Sequence, residues 1–196
     1  MELISLHIPK TAGTSFRAAL EAEYGADLTP VYGGIGVNGR GCRAVHGHFS
    51  PSQFWSAGRA AALIMWLRDP AERIASYYDF WGSSAAHGNP NHDEFLASDM
   101  SLTEFAAWEP IRTEFATMYV DGLSPADFDF VGIAERYDDD LARLAQLLGW
   151  QTAGVSERTN VTPGERSALD AATRAEIERH HAVEVDWYRR FAEPTS

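Results

Sequence analysis

The sequence predicts an α/β protein with a mainly parallel sheet flanked by helices. Short apolar segments alternate with segments of helical periodicity, which is the pattern of strand–helix–strand units. The most apolar segment, residues 60–67, has the continuous hydrophobicity of a strand buried on both faces. The length of 196 residues fits one domain, and a hydrophobic content of 45% is enough for a packed core. We therefore expect one three-layer domain over residues 1–196.

The first third of the chain is predicted to alternate between strands and helices. Residues 3–8 form an apolar strand closed by Pro9, and residues 14–24 form a helix that ends at Gly25. The glycine-rich residues 30–41 are expected to form a loop. The next elements are a strand, a helix and a second strand: residues 43–46, the segment opened by Ser50-Pro51, and residues 60–67.

A strong helix start follows the strand at 60–67. Asp69 supplies an N-cap, Pro70 a first-turn proline and Glu72 a carboxylate at the third position. That helix is expected to run to about Trp81, with Gly82 as its stop. The remaining predicted elements are an exposed loop at 83–94, helices begun by Ser101 with Glu104 and by Pro110, a strand at 128–133, a helix at 138–148, a polar loop at 151–168 and one amphipathic helix that carries Ile177, His181, Val185, Tyr188 and Phe191.

Charge and composition limit the classes of partner. The formal net charge of −12 argues against nucleic acid and anionic membrane surfaces, so an anionic ligand must meet a local basic site. Lys10 is the one lysine among 16 basic residues, either through a coding bias towards arginine or because a compact ammonium is needed there. The chain has no apolar run near the roughly 20 residues of a membrane-spanning helix and no signal-peptide pattern. Cys42 has no second cysteine to pair with, and we expect a cytoplasmic protein.

The turn after the first strand has the composition of an anion site. It reads Pro9-Lys10-Thr11-Ala12-Gly13-Thr14-Ser15 and leads into a helix, whose first N–H groups point at a ligand. Lys10 adds a positive charge, and Thr14 and Ser15 add hydroxyl donors. The order is not that of a Walker A loop, in which the lysine follows the last glycine. An ordinary turn with an N-cap is the competing interpretation.

A second basic segment follows the most buried strand. Arg68 stands at the strand end, and Arg73 and Ser76 lie three residues apart on one face of the next helix. A guanidinium and a hydroxyl placed in this way are within reach of a second phosphate. Arg73 is equally well explained as a solvated partner of Glu72 or Asp69.

Together these segments resemble the sulfotransferases that use 3′-phosphoadenosine 5′-phosphosulfate (PAPS), especially the carbohydrate and heparan 2-O-sulfotransferase-like branch. The similar stretches occur in family order: residues 7–16, 68–78 and 128–135, Asn160-Val161-Thr162 and Asp186-Trp187-Tyr188. The resemblance implies a P-loop-like fold in which the loop from Lys10 to Ser15 holds the 5′-phosphosulfate. It further implies that Arg68 and Ser76 hold the 3′-phosphate, and that Arg158 and Asn160 close over the nucleotide.

His46-Gly47-His48 is the third segment of interest. Side chains two residues apart in an extended segment point the same way, so both imidazoles are expected to face one cleft. A zinc pair and a hydrogen-bonded structural pair are the other interpretations, and no third ligand at a familiar spacing supports zinc. Related enzymes carry a similar His-Gly-His, and the resemblance implies His48 as general base with His46 orienting the substrate or His48. The other histidines, His7 among them, are expected to be structural or on the surface.

The expected reaction is in-line transfer of a sulfuryl group from PAPS to a hydroxyl of a small or neutral acceptor, such as a carbohydrate or metabolite, without a metal ion. The acidic surface is the reason to expect a neutral acceptor. Residues 81–100, with Trp81 and His87, form either a lid over the acceptor or a plain loop. Two alternatives are a P-loop-like small-molecule kinase, which the position of Lys10 disfavours, and a catalytically silent nucleotide-binding module.

Overall fold

A parallel sheet of five strands forms the centre of the described chain, in the order β2-β3-β1-β4-β5. The structure, a computed structural model, describes residues 1–32, 41–55, 60–86, 88–150, 167 and 169–193. The strands are β1 (Leu3–Leu6), β2 (Leu28–Val31), β3 (Ala44–Gly47), β4 (Ala62–Leu67) and β5 (Phe130–Ile133). Each neighbouring pair is parallel. The carboxyl ends of the strands therefore lie along one edge, where ligands bind in open α/β sheets.

Helices connect the strands and cover the sheet. Those of the described residues are α1 (Gly13–Tyr24), α2 (Pro70–Ser83), α3 (Pro90–Leu96), α4 (Leu102–Ala107), α5 (Glu109–Glu114), α6 (Tyr137–Leu148), α7 (Ala171–His180) and α8 (Ala182–Ala192), with a π-helical turn at Phe115–Tyr119. In this part of the chain no helix is both long and apolar enough to cross a membrane. The predicted α/β fold with a mainly parallel sheet is confirmed.

The sheet is buried on both faces because its strands alternate side chains between two apolar clusters. On β1, Ile4 and Leu6 belong to a cluster that the π-helical turn and α8 complete through Tyr119 and Trp187. Leu3 belongs to the opposite cluster, with side chains of α1 and α6: Phe16, Leu20, Leu141 and Leu144. Continuous apolar runs in the sequence are thus the sign of strands covered on both sides.

Local capping signals place the helix starts correctly. The Asp69 carboxylate accepts the Glu72 N–H at 2.9 Å and begins α2. Ser101 and Glu104 form the complete capping box that begins α4. Side-chain caps of this kind satisfy N–H groups that have no partner within the helix.

Several predicted boundaries are wrong. Helix α2 continues through Gly82 to Ser83, and the predicted loop at 83–94 contains the start of α3. Trp81 is buried in a third cluster, formed between helices, and the buried His92 packs against Trp81, so this part of the segment is core and not a lid. The single C-terminal helix is two, because His181 leaves the helical backbone conformation at φ −108° and ψ 31°.

Candidate functional site

Three adjacent strands carry the predicted site residues to the same edge of the sheet. The Lys10 turn follows β1, His48 follows β3 and Arg68 follows β4, and β1 lies between the other two. These residues are widely separated along the chain. Parallel pairing of the strands brings them together.

The turn from Pro9 to Gly13 has an unusual backbone. Lys10 and Ala12 adopt φ values of 69° and 68°, in the left-handed region that non-glycine residues rarely enter. Such conformations cost on the order of 1–3 kcal/mol each and concentrate at ligand-binding sites. Ala12 is the N-cap of α1 and gives no side-chain cap. The start of this 12-residue helix therefore offers N–H groups and the positive end of its dipole.

The side chains of this turn face in different directions. Thr11 is 1% exposed, and its hydroxyl donates to the Ile8 carbonyl at 2.9 Å, so it stabilises the turn from within. Thr14 is exposed, whereas Ser15 is 8% exposed. Of the three hydroxyl groups in the turn, that of Thr14 is the most accessible to a ligand.

The Lys10 ammonium lies 4.4 Å from the centre of the Phe80 ring on α2. Burial lowers the pKa of Lys10, and the nearby Arg68 lowers it further, while Asp79 opposes the change. Arg68 also donates from Nη1 to the Lys10 carbonyl at 3.4 Å and lies 3.7 Å from the Glu72 carboxylate. Two cations therefore adjoin the helix start in a protein of net charge −12.

The start of α2 is held by contacts from distant segments. The Asp69 N–H donates to the Glu135 carboxylate at 2.8 Å, and the Arg174 guanidinium binds both Asp69 oxygens at 2.8 and 2.9 Å. Ser76 lies one turn and a half into α2 and is half-buried. These contacts fix the backbone from which Arg68 and Ser76 project.

Arg73 does not belong to this site, so both interpretations of Arg73 from the sequence are wrong. Its side chain is fully buried and forms a bidentate ion pair with Glu184 of α8, with an Nη2–Oε2 distance of 2.6 Å. Although Arg73 and Ser76 lie on one side of α2, the Arg73 side chain packs against α8. Arg174, and not Arg73, is the arginine that pairs with Asp69 and Glu72.

Three imidazoles form a cluster next to the Lys10 turn. The His7 ring stacks on that of His46 and on that of His48, with centroid distances of 5.1 and 4.6 Å. Tyr32 meets the His7 ring edge-on, and its hydroxyl lies 2.9 Å from His7 Nδ1. Gly47 lies between His46 of β3 and His48, and only a glycine fits there because a Cβ would lie 1.8 Å from the Val31 carbonyl oxygen on β2.

Hydrogen bonding fixes the tautomer of His48. Its Nδ1 lies 2.5 Å from the His7 carbonyl oxygen, which only accepts, so Nδ1 carries the proton and donates. The Tyr119 hydroxyl, at the end of the π-helical turn, lies 3.1 Å from the same nitrogen. The lone pair is then on Nε2, for which the described residues provide no hydrogen-bond partner. Burial lowers the pKa of His48, and the bond to His7 opposes that change. A neutral imidazole with a free lone pair is the form that a general base requires.

His46 is placed differently from His48. It is 1% exposed, and its Nδ1 lies 2.8 Å from the Ser5 hydroxyl within the core. It therefore contacts His7 and the sheet, and is not open to an acceptor. Burial lowers the pKa of His46 to about 3, so it is neutral at physiological pH. Among the residues that the structure describes, no group of three His, Cys, Asp or Glu is arranged to hold a metal ion.

Some residues of the site could not be found from the sequence, and some lie outside the described residues. Arg158, Asn160 and His87 fall in undescribed segments. His7 is structural, as expected, but it lies within the site, and its position directly before Ile8-Pro9-Lys10 is the sequence signal for that placement. Tyr119 had no such signal, because it reaches His48 across 71 residues of sequence.

Comparison with known proteins gives a likeness in fold. No family model matches the sequence, and no curated protein matches it. A sulfotransferase from Alicyclobacillus acidocaldarius matches with a TM-score of 0.54 and 15% identity, over 100% of this chain and 97% of that chain. Mouse sulfotransferase SULT7A1, complexed with PAP, matches with a TM-score of 0.43 and 12% identity, over 100% of this chain and 67% of that chain. The α/β fold of this chain is therefore that of the Alicyclobacillus sulfotransferase.

Proposed function

We propose that this protein is a sulfotransferase that takes a sulfuryl group from PAPS and transfers it to a hydroxyl of a small or neutral acceptor. The observation that carries the proposal is the meeting of two groups at one edge of the sheet. A lysine-bearing turn with strained backbone adjoins the start of α1, and His48 beside it has its lone pair on Nε2. The fold likeness to a sulfotransferase supports the same reaction class.

The residues present fit a donor with two anionic ends. The uncapped start of α1 and Lys10 suit the 5′-phosphosulfate, because both favour negative charge. Arg68 lies next to the Lys10 carbonyl, at the end of the neighbouring strand, and with Ser76 suits the 3′-phosphate. Arg158 and Asn160 join the proposed nucleotide site through the family resemblance alone. The solved structure of mouse SULT7A1 contains PAP, the nucleotide that PAPS leaves behind.

Two side chains have defined tasks in this reaction. PAPS, when bound, supplies an activated sulfuryl group. The Lys10 ammonium, with the N–H groups of the turn, stabilises negative charge where the leaving oxygen develops it. His48 Nε2 accepts the proton of the acceptor hydroxyl, while Nδ1–H remains bonded to the His7 carbonyl. His46 supports this arrangement from the core.

A small or neutral acceptor suits the charge of the protein. The net charge of −12 disfavours a polyanionic chain such as heparan, because such a chain requires an extended basic surface. A carbohydrate or secondary metabolite with a free hydroxyl has no such requirement. The kinase alternative is less favoured because the lysine precedes the glycine of the turn. A catalytically silent module does not account for a histidine held in the base-competent tautomer.

The decisive experiment compares two nucleotides by calorimetry. The wild type should bind 3′,5′-bisphosphoadenosine far more tightly than ADP, which has no 3′-phosphate. Arg68→Ala should weaken bisphosphoadenosine by roughly 1.5–3 kcal/mol, the value of one charge-assisted contact, and weaken ADP much less. Arg179→Ala is the matched control, because Arg179 is 65% exposed on α7 and pairs with Glu176. Equal losses for the two nucleotides in Arg68→Ala, or equal affinities in the wild type, would contradict the proposal.

A further inference from the structure

We propose that His7 is a positioning residue that sets the distance between the Lys10 turn and His48; this inference rests on the proposed function. His7 lies outside the three segments that the site was built from, which are the Lys10 turn, the Arg68 segment and His46-Gly47-His48. It follows β1 directly and is three residues from Lys10. Its ring, its carbonyl and its backbone N–H each contact a different part of the site.

The ring of His7 fills the space beneath the start of α1. A Cβ built on Gly13 would lie 1.7 Å from His7 Nε2, and the three nearest atoms to it all belong to this ring. Gly13 is not among the residues with positive φ, so its backbone itself accepts a side chain. The glycine of the turn is therefore required by the His7 imidazole.

The same residue supports the base from two directions. Its ring stacks on His48, and its carbonyl accepts the His48 Nδ1–H. Its backbone N–H donates to the Gly47 carbonyl at 2.8 Å, which ties the end of β1 to the His46-Gly47-His48 segment. Because His7 contacts both parts, a shift of the α1 start also moves His48. The Lys10 turn and His48 therefore keep a constant separation.

The groups that face His7 keep it uncharged. His46 and His48 contact its ring, the Tyr32 hydroxyl lies at Nδ1, and Lys10 and Arg17 are close enough to act on its charge. Burial is the largest cause of the lowered pKa of His7, and these neighbours add to it. His7 therefore acts by shape and hydrogen bonding, not by proton transfer.

A suppressor experiment tests the steric link without measuring turnover. Gly13→Ala alone should lower the melting temperature and weaken bisphosphoadenosine binding at least 10-fold, because the new methyl group collides with the His7 ring. His7→Ala removes the ring, so the double variant Gly13→Ala/His7→Ala should recover most of both losses. Wild-type binding by Gly13→Ala, or a double variant no better than Gly13→Ala, would overturn the steric link.

Turnover then tests the positioning role. His7→Ala should reduce kcat roughly 10- to 100-fold, less than the roughly 10²–10⁴-fold that loss of the general base itself costs, and change bisphosphoadenosine affinity less than threefold. His92→Ala is the control, since His92 is also buried and bonded to a backbone carbonyl but packs against Trp81 of the third, helical cluster. It should lower the melting temperature without lowering kcat. Wild-type kcat in His7→Ala would overturn the positioning role alone, whereas a wild type that does not bind bisphosphoadenosine would overturn the proposed function itself.

Discussion

Mild acid should destabilise this protein through its buried histidines. Burial is the main cause that lowers the pKa of His46 to about 3 and that of His7 to about 2. A histidine in the unfolded chain titrates near 6.5. Below that pH the unfolded state binds protons that the folded state does not bind. The stability from each neutral histidine is thus complete above pH 6.5 and is lost as the pH falls towards the folded pKa.

The size of the effect follows from this difference. Between pH 6.5 and pH 5, each of the two histidines removes about 1.7 kcal/mol from the free energy of unfolding, since an unfolded imidazole goes from half to almost fully protonated. The figure is insensitive to the folded pKa values, because both lie well below 5. Glu114 acts in the opposite direction. Burial raises its pKa to about 7, so the folded state gains a proton there over the same pH range.

Urea unfolding of wild type and His46→Asn at several pH values measures this effect. The asparagine amide keeps a partner for the Ser5 hydroxyl and does not titrate. The loss of stability from pH 6.5 to pH 5 should be smaller in His46→Asn by about 1.7 kcal/mol. Glu114→Gln should make the loss larger, because it removes the opposing group. An identical pH dependence in wild type and His46→Asn would refute the reasoning.

Three further outcomes are expected. Lys10→Ala should reduce kcat on the order of 100-fold or more, as loss of one oxyanion donor does. Lys10→Arg should also have a low kcat, because a planar guanidinium does not replace the point charge of an ammonium. Wild-type-like turnover of Lys10→Arg in steady-state kinetics would contradict this role. In pH–rate profiles, kcat/KM of the wild type should decrease as the pH drops through the pKa of His48. That pKa should lie below the ordinary histidine value, because burial lowers it. His48→Ala should lose roughly 10²–10⁴-fold in kcat and that acidic limb, whereas His46→Ala should keep the limb; the reverse pattern would assign the base to His46. Arg73→Ala should lower the free energy of unfolding, measured in urea, by about 3–5 kcal/mol, because it leaves the Glu184 carboxylate buried without its partner. The double variant Arg73→Met/Glu184→Leu should recover much of that loss. If the losses of the two single variants simply add in the double variant, the two charges do not stabilise each other.

Local signals in the sequence predicted the fold class and several of the helix starts. The cap at Asp69 and the capping box at Ser101 depend on contacts within four residues, and both are confirmed. Continuous apolar runs predicted strands buried on both faces, as found in β1 and β4. Because a parallel sheet gathers its strand ends at one edge, the fold class also placed the turns that carry Lys10 and Arg68 at the same edge.

Contacts between distant segments determined the rest. The sequence alone establishes which residues can cap a helix or begin an anion-binding turn, since those free energies are local. Only the tertiary structure decided that Arg73 pairs with Glu184, 111 residues away, and that His7 lies against Gly13 and His48. A charged side chain enters the core only where a partner compensates its lost hydration, and the order of strands and helices determines that partner. Helical periodicity is the same for an arginine that faces a phosphate and one that faces a buried glutamate.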